Sequence, residues 1–369
     1  METECTQSNI KVNKTPATYS SIVKIGEMVS NKEKETNQEY LKLHRGVMDV
    51  TTIDLNTIVS KIDFNSKKMQ QYGGNDGDST LINTIKENFH LNEHHLLIVP
   101  GGMASLDLTI NSLDETEFWV PKYHWGSWNK ILKTHNKNIN TFDDFKIEDF
   151  KPESGVVMLC YPSNPTGFSP TLENLKIFLD YTKERGITTI LDLPYYYLFN
   201  PNHSKIYDLF HDNVIVVSSF SKSIGLSGFR VGYIATKSKE LYEDMRIRSL
   251  YKYNSISTPA QFIINELFTT NVGKTQVDNY KWETYHNIKL NIEWLKLSGL
   301  LFEEYGNNTP IGPFAIVNKS FEELLEHKIS SVPLSKFCLE NVNNNYSRIS
   351  VAVPHKKFVT YFNNVIKPS

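Results

Sequence analysis

Ser219-Phe220-Ser221-Lys222-Ser223-Ile224-Gly225-Leu226-Ser227-Gly228-Phe229-Arg230-Val231-Gly232 decides how this chain is read. It follows, one residue on, Val214 to Val217, a run that is apolar at every position. Runs apolar on both faces suit parallel strands covered by helices. Loops at the carboxyl ends of such strands are where α/β sheets bind ligands. This loop sets one lysine among small residues and two glycines, with an arginine eight residues later. Small residues let a planar ligand approach the backbone, and the fixed donor fork of arginine suits a phosphate. Taken alone, the stretch also suits a Gly/Ser-rich surface turn with solvated charges.

Working outward, the same alternation recurs. Leu81 to Phe89 has helical spacing, and Leu96 to Val99 reads as a buried strand. Ala104 to Asn111 and Ser127 to Leu132 read as helices around a strand at Glu117 to Val120. Gly155 to Leu159 and Thr188 to Leu191 are further apolar runs, separated by a helix at Thr171 to Glu184 that ends near Gly186. The pattern predicts an α/β fold with a mostly parallel, doubly wound sheet over residues 65–270. A long polar helix at about 276–297 and strands near Phe314 to Val317 and Arg348 to Val351 predict a smaller α+β domain over 271–369. Residues 1–64 are expected to supply an N-terminal arm and part of that smaller domain. The first 35 or so are polar and read as a mobile arm.

Composition narrows the function classes. The 369 residues are 40% hydrophobic and 22% charged, with a formal net charge of −2. That balance gives no strong field for nucleic acid or an anionic membrane. Cys5, Cys160 and Cys338 are too few and too far apart for a disulfide framework or a zinc site. With a polar N-terminus and no apolar run long enough to span a bilayer, a cytoplasmic protein is expected. His90, His94 and His95 surround a helix end and are expected to hold no metal.

Several segments at predicted strand ends carry chemistry. Tyr161-Pro162-Ser163-Asn164-Pro165-Thr166-Gly167 links a strand to a helix, and turn chemistry alone would account for its Pro and Gly. Leu191-Asp192-Leu193-Pro194-Tyr195 ends another buried strand. Gly101-Gly102-Met103-Ala104-Ser105 opens a helix, where backbone amides can bind phosphate. Pro121-Lys122-Tyr123-His124-Trp125, Tyr346-Ser347-Arg348-Ile349, Tyr72-Gly73-Gly74-Asn75-Asp76-Gly77 and Leu43-His44-Arg45-Gly46 complete the set.

In this order the segments resemble the class I and II aminotransferases, enzymes of pyridoxal 5'-phosphate (fold type I), across about residues 43–352. The resemblance implies Lys222 as the Schiff-base lysine and Ser219, Ser221 and Arg230 as phosphate-side ligands, with the amides of Gly102, Met103 and Ala104 completing the cup. It implies Asp192 against the pyridine nitrogen, where a carboxylate keeps the ring an electron sink. Asn164 and Tyr195 would share the ring hydroxyl, Pro194 would pack on one ring face and Tyr123 would stack on the ring. Trp125 is a substitute for Tyr123 or a wall of the substrate pocket. Arg348 would take the substrate α-carboxylate, and Gly46 would let substrate approach. Tyr72 would reach the phosphate of a neighbouring subunit, which implies a homodimer with shared sites. The implied activity moves an amino group between an amino acid and a 2-oxo acid, with Lys222 as base and acid. The same residues also serve lyases, decarboxylases and cyclases, and a non-catalytic binding protein could keep the fold. No second arginine for a distal carboxylate stands out, which disfavours a dedicated aspartate enzyme.

Overall fold

A computed structural model describes residues 10–199 and 204–366. Twelve strands run in chain order as β1 (Leu41–Lys42), β2 (His95–Val99), β3 (Glu117–Pro121), β4 (Asn138–Phe142), β5 (Val156–Cys160), β6 (Thr188–Asp192), β7 (Val214–Ser219), β8 (Gly232–Thr236), β9 (Phe314–Val317), β10 (Ile329–Ser330), β11 (Val332–Pro333) and β12 (Ser347–Ser350). Seven of them form one sheet in the order β2-β8-β7-β6-β5-β3-β4. Its β4, β3, β5, β6 and β7 are mutually parallel, and β8 is antiparallel to both neighbours.

Both faces of that sheet are covered, which explains its continuous apolar runs. Successive residues of one strand enter different cores. Val156 and Met158 pack with Leu97, Val99, Phe118, Val120, Ile190 and Ile234 on one side. Val157 and Leu159 pack with Leu96, Ile98, Leu191, Val214, Val216 and Tyr233 on the other. Helices Gly102–Ser112, Gly126–Thr134 and Lys239–Tyr253 face the first core, through Leu106, Trp128 and Met245. Helices Ser79–Asn88, Leu172–Glu184 and Thr258–Thr269 face the second, through Leu81, Phe178 and Ile264. The doubly wound α/β expectation holds, with β8 as the antiparallel member.

Two smaller sheets lie beyond it, β1-β10 in parallel and β11-β12-β9 in antiparallel order. Their core joins Leu41 and Leu43 to Phe314, Ile349 and Val351, and to Ile288 and Ile292 of the long helix Asn271–Leu297. Tyr195 and Leu198 enter the same core from the large sheet.

One expectation is corrected here. The first 35 residues are not uniformly a loose arm, because Ser21–Thr36 is a helix. Val29 is fully buried, and Ile22 and Ile25 pack against the cluster of Phe302, Tyr305 and Phe337. Gly26 permits the approach, since a Cβ there would lie 3.1 Å from Nε2 of His44. The expected loose arm ignored these contacts, which include Phe302, Tyr305 and Phe337, hundreds of positions away.

The Asn164–Gly167 turn is docked onto the smaller sheets. Tyr305 donates its hydroxyl to the Thr166 carbonyl at 2.5 Å, and the amides of Ile311 and Gly312 donate to the Gly167 carbonyl. Gly167 has φ +66°, and a Cβ on it would sit 2.0 Å from the carbonyl oxygen of Phe314. Gly167→Ala therefore combines a left-handed backbone with a backbone clash. It is expected to destabilise the fold by about 2 kcal/mol or more, read as a lowered urea midpoint. An unchanged midpoint would contradict this docking.

Candidate active site

Sheet register assembles the site. Cys160 at the end of β5 stands opposite Asp192 at the end of β6, and Asp192 stands opposite Val217 of β7. Strand β7 runs two residues further to Ser219, whose partner is Gly232 of β8. Gly232 also pairs Val99, so the end of β2 and its Gly101-Gly102 turn reach the same edge. A Cβ on Gly232 would lie 2.8 Å from the Gly101 carbonyl carbon, so a bare glycine is required for this approach.

At that edge lies a cavity of about 220 Å³, lined by Gly102, Met103, Leu106, Trp125, Cys160, Asn164, Asp192, Pro194, Tyr195, Ser219, Ser221, Lys222, Ser227 and Arg230. Eleven of the residues singled out from sequence thus share one cavity: Gly102, Met103, Trp125, Asn164, Asp192, Pro194, Tyr195, Ser219, Ser221, Lys222 and Arg230. Gly102, Met103 and Ala104 form the first turn of the helix Gly102–Ser112, whose N-cap Gly101 contributes no side-chain bond. Their amides are therefore the orphan donors of a helix start. Ala104 is not among the lining side chains, so only its amide is in question. Ser219 likewise precedes the helix Phe220–Ser223 without capping it.

Arg230 has φ +55° and is steered by three acceptors, Ser227 O at 2.9 Å, Pro100 O at 3.3 Å and Ser221 Oγ at 3.5 Å. It makes no ion pair among the described residues, and a Cβ on Gly101 would come within 2.6 Å of its Nη2. Burial, then the charges of Arg348 and Arg230, lower Lys222 from 10.5 to about 8. Asp192 is buried and meets no cation among the described residues; desolvation raises it to about 7, an effect that the Trp128 indole partly offsets. Burial raises Tyr195 well above 10.0, helped by nearby Cys160 and Asp192 and opposed by Arg348 and the Asn164 amide. Asn164 Oδ1 is buried with no hydrogen-bond partner among the described residues.

Arg348 lies on β12, centred between β9 and β11, and is only 1% exposed. Its Nη2 donates to the His44 carbonyl at 2.8 Å, while Nε and Nη1 have no partner among the described residues. Gly46 stands beside it, since a Cβ there would be 3.0 Å from Phe314, whose ring covers the Arg348 guanidinium at 4.6 Å.

Two sequence expectations fall elsewhere. Tyr123 does not line the cavity. Its hydroxyl donates to Glu304 at 2.9 Å and its ring meets Phe302 edge-on at 5.8 Å. The aromatic at the cavity is Trp125, the N-cap residue of the helix Gly126–Thr134. Tyr72 is 83% exposed and lines a separate surface groove with Ser255 to Pro259. Within one chain it does not reach the cavity. Leu106, Cys160 and Ser227 were not foreseen; Cys160 and Ser227 had a signal in their place at a strand end and inside the lysine loop. Among the described residues no group of three His, Cys, Asp or Glu could hold a metal. No helix there is long and apolar enough to cross a membrane. Cys5 lies outside the described residues.

The cavity thus joins a lysine, a carboxyl and an arginine to the free amides of a helix start. In comparison with known proteins, the family described as "Aminotransferase class I and II" matches residues 39–366, and the chain belongs to this pyridoxal-phosphate-dependent family. The aspartate aminotransferase of Pyrococcus horikoshii is 23% identical over 233 residues, which cover 60% of this chain and 58% of that one. The histidinol-phosphate aminotransferase of Thermoanaerobacter pseudethanolicus is 28% identical over 207 residues, 56% of this chain and 55% of that one. The match thus spans little more than half the length of these curated relatives. Among solved structures, an aspartate aminotransferase from Thermus thermophilus with maleate superposes with a TM-score of 0.79 at 20% identity, covering 94% of this chain and 97% of that one. An aminotransferase from Mycobacterium tuberculosis gives 0.82 at 14% identity, covering 97% and 98%. These structures establish the fold.

Proposed function

We propose that this protein moves an amino group between an amino acid and a 2-oxo acid. One observation carries the reading: Asp192 and Lys222 line one cavity, Lys222 is desolvated and feels the charge of the buried Arg348, and none of the three has a counter-ion among the described residues. Uncompensated buried charges are costly and mark a place where a ligand supplies the missing partners.

Pyridoxal phosphate fits these partners. Its phosphate suits Arg230, Ser219 and the amides of Gly102, Met103 and Ala104. Its ring nitrogen suits Asp192, and its ring hydroxyl suits Asn164 and Tyr195, with Trp125 and Pro194 as flanking surfaces. When bound, it supplies an aldehyde for the amino group and an electron-withdrawing ring. Arg348 presents two unpaired donors on Nε and Nη1 to the substrate α-carboxylate. Desolvation, reinforced by two nearby arginines, keeps part of the Lys222 population neutral near pH 8, so Nζ can take and return a proton. The walls Leu106, Trp125 and Cys160 carry no charge, which favours substrates without a second acidic group.

The reading extends to organisation. Residues 65–270 would form the cofactor domain, with 1–64 and 271–369 as arm and small domain. The chain would act as a cytoplasmic homodimer, with the exposed Tyr72 reaching the partner's phosphate.

The test is optical. Purified protein given pyridoxal phosphate is expected to gain a visible band that borohydride bleaches. In a single-turnover screen, the right amino acid should bleach that band with one equivalent of 2-oxo acid released. Release of carbon dioxide or an alkene with the band intact would overturn transamination in favour of a lyase; absence of any band would favour a binding protein.

A further inference from the structure

Arg348 is an unusual buried cation because carbon rather than carboxylate surrounds it. Its Cζ lies 4.6 Å from the centroid of Phe314 and 5.0 Å from that of Phe337. Both rings are buried, at 0% and 1% exposure. Rings of this kind attract a guanidinium through their quadrupole and hold it without occupying its in-plane donors. One backbone acceptor, the His44 carbonyl, takes Nη2. Nε and Nη1 are left pointing nowhere else among the described residues.

The two rings come from different places. Phe314 belongs to β9, the strand beside β12, and it also meets Tyr195 edge-on at 5.5 Å. Phe337 comes from the turn after β11, which is pinned to the segment that carries Trp125 of the cavity lining. The amide of His124 donates to the Phe337 carbonyl at 2.7 Å. The Lys336 carbonyl oxygen packs on Gly126, where a Cβ would approach it to 2.6 Å. His124 and Gly126 flank Trp125. Phe337 is thus the residue whose ring touches the buried arginine while its backbone holds the segment carrying Trp125.

We propose that Phe337 is a positioning residue that fixes Arg348 relative to the Trp125 wall, and thereby makes an α-carboxylate the part of the substrate that this site selects. The proposal rests on the reading of Arg348 as the carboxylate site. Phe337 itself need not touch the substrate. Without its ring the guanidinium keeps its charge but loses one of the two surfaces that define its plane. Carboxylate-bearing ligands lose their aligned fork, while the chemistry at Lys222 does not.

The experiment compares wild-type holoenzyme with Phe337→Leu, using the amino acid found in the single-turnover screen and hydroxylamine, an amine without a carboxylate that bleaches the bound cofactor. Phe337→Leu is expected to raise the amino-acid KM roughly ten- to thirty-fold. Its kcat should stay within about three-fold, and its rate with hydroxylamine should match wild type. Phe337→Tyr, which keeps the ring, should restore the KM. An unchanged KM in the leucine variant, or an equal loss with amino acid and hydroxylamine, overturns the proposal. If the leucine variant fails to retain cofactor, Phe337→Met removes the ring while keeping apolar volume and is judged by the same split. Failure of both to retain cofactor while Phe337→Tyr retains it shows a packing role instead and also overturns it. Should wild type itself show no cofactor band, the aminotransferase reading fails first and independently of Phe337.

Discussion

Lys222→Ala is expected to lose at least about a thousand-fold in turnover, with the cofactor's borohydride-sensitive visible band gone. Lys222 sits at the end of β7 on a one-turn helix, Phe220–Ser223, whose backbone is fixed by the sheet before it and the Gly225 turn after it. Gly225 has φ +72° and packs against the ring of Tyr280, so the loop cannot relax outward. Nζ is thereby held in a desolvated space facing two arginines, which brings its pKa to about 8. At pH 8 roughly half of it is neutral, against well under about one per cent for an ordinary lysine. Proton uptake by this amine therefore grows as pH rises through about 8, not through 10.5. The alanine variant removes a desolvated cation that has no carboxylate partner among the described residues, so its melting temperature is expected to stay level or rise. Activity loss with a large fall in melting temperature would point to a structural lysine. Near wild-type turnover in the variant would sink the assignment.

The sheet and most of the site were legible because the same physics shaped both. Strands β5, β6 and β7 are buried on two faces, so their centres are apolar, and ligand chemistry follows at their carboxyl ends. Asn164, Asp192 and Lys222 could be placed before any coordinate was known, because each lies within a few residues of such an end. What could not be read were contacts between distant segments. The helix Ser21–Thr36 is polar, and its order comes from a buried Val29 and from Ile22 and Ile25 meeting a cluster that includes Phe302, Tyr305 and Phe337. Strand β8 was hidden because it follows the lysine loop directly and contains small residues such as Gly232 and Ala235. Tyr123 and Trp125 differ by two positions after the same proline, and Tyr123 is engaged by Glu304, 181 residues away, and by Phe302. The rings around Arg348 belong to two separate segments, and nothing in the local sequence of Phe337 announces a guanidinium.

Asp192→Asn is expected to separate stability from function with opposite signs. Asp192 is almost fully buried, and desolvation raises its pKa from 3.8 to about 7. Folding of the cofactor-free protein therefore takes up a proton at this site between those two values. The sign follows: relative stability is fully present below about pH 4, is lost as pH rises through about 7, and changes no further above it. The ionised carboxylate costs up to about 4 kcal/mol at high pH, an upper figure because water penetration relieves part of it. Asparagine occupies nearly the same volume without the charge. In urea unfolding of the cofactor-free protein, Asp192→Asn should thus gain on wild type steadily from pH 5 to 7 and hold that lead at pH 8. Taking the difference between the two proteins cancels other groups, such as the buried His44 and His94, which titrate in both. Catalysis moves the other way. With cofactor present, Asp192 would gain a cationic partner on the proposed reading, the carboxylate would become favourable, and the wild-type deficit should close. The asparagine variant cannot hold a proton on the ring nitrogen and is expected to lose about a hundred-fold or more in kcat. A pH-independent stability difference would show that Asp192 is solvated in the free protein. An asparagine variant with full kcat would show that its carboxylate does not serve the cofactor.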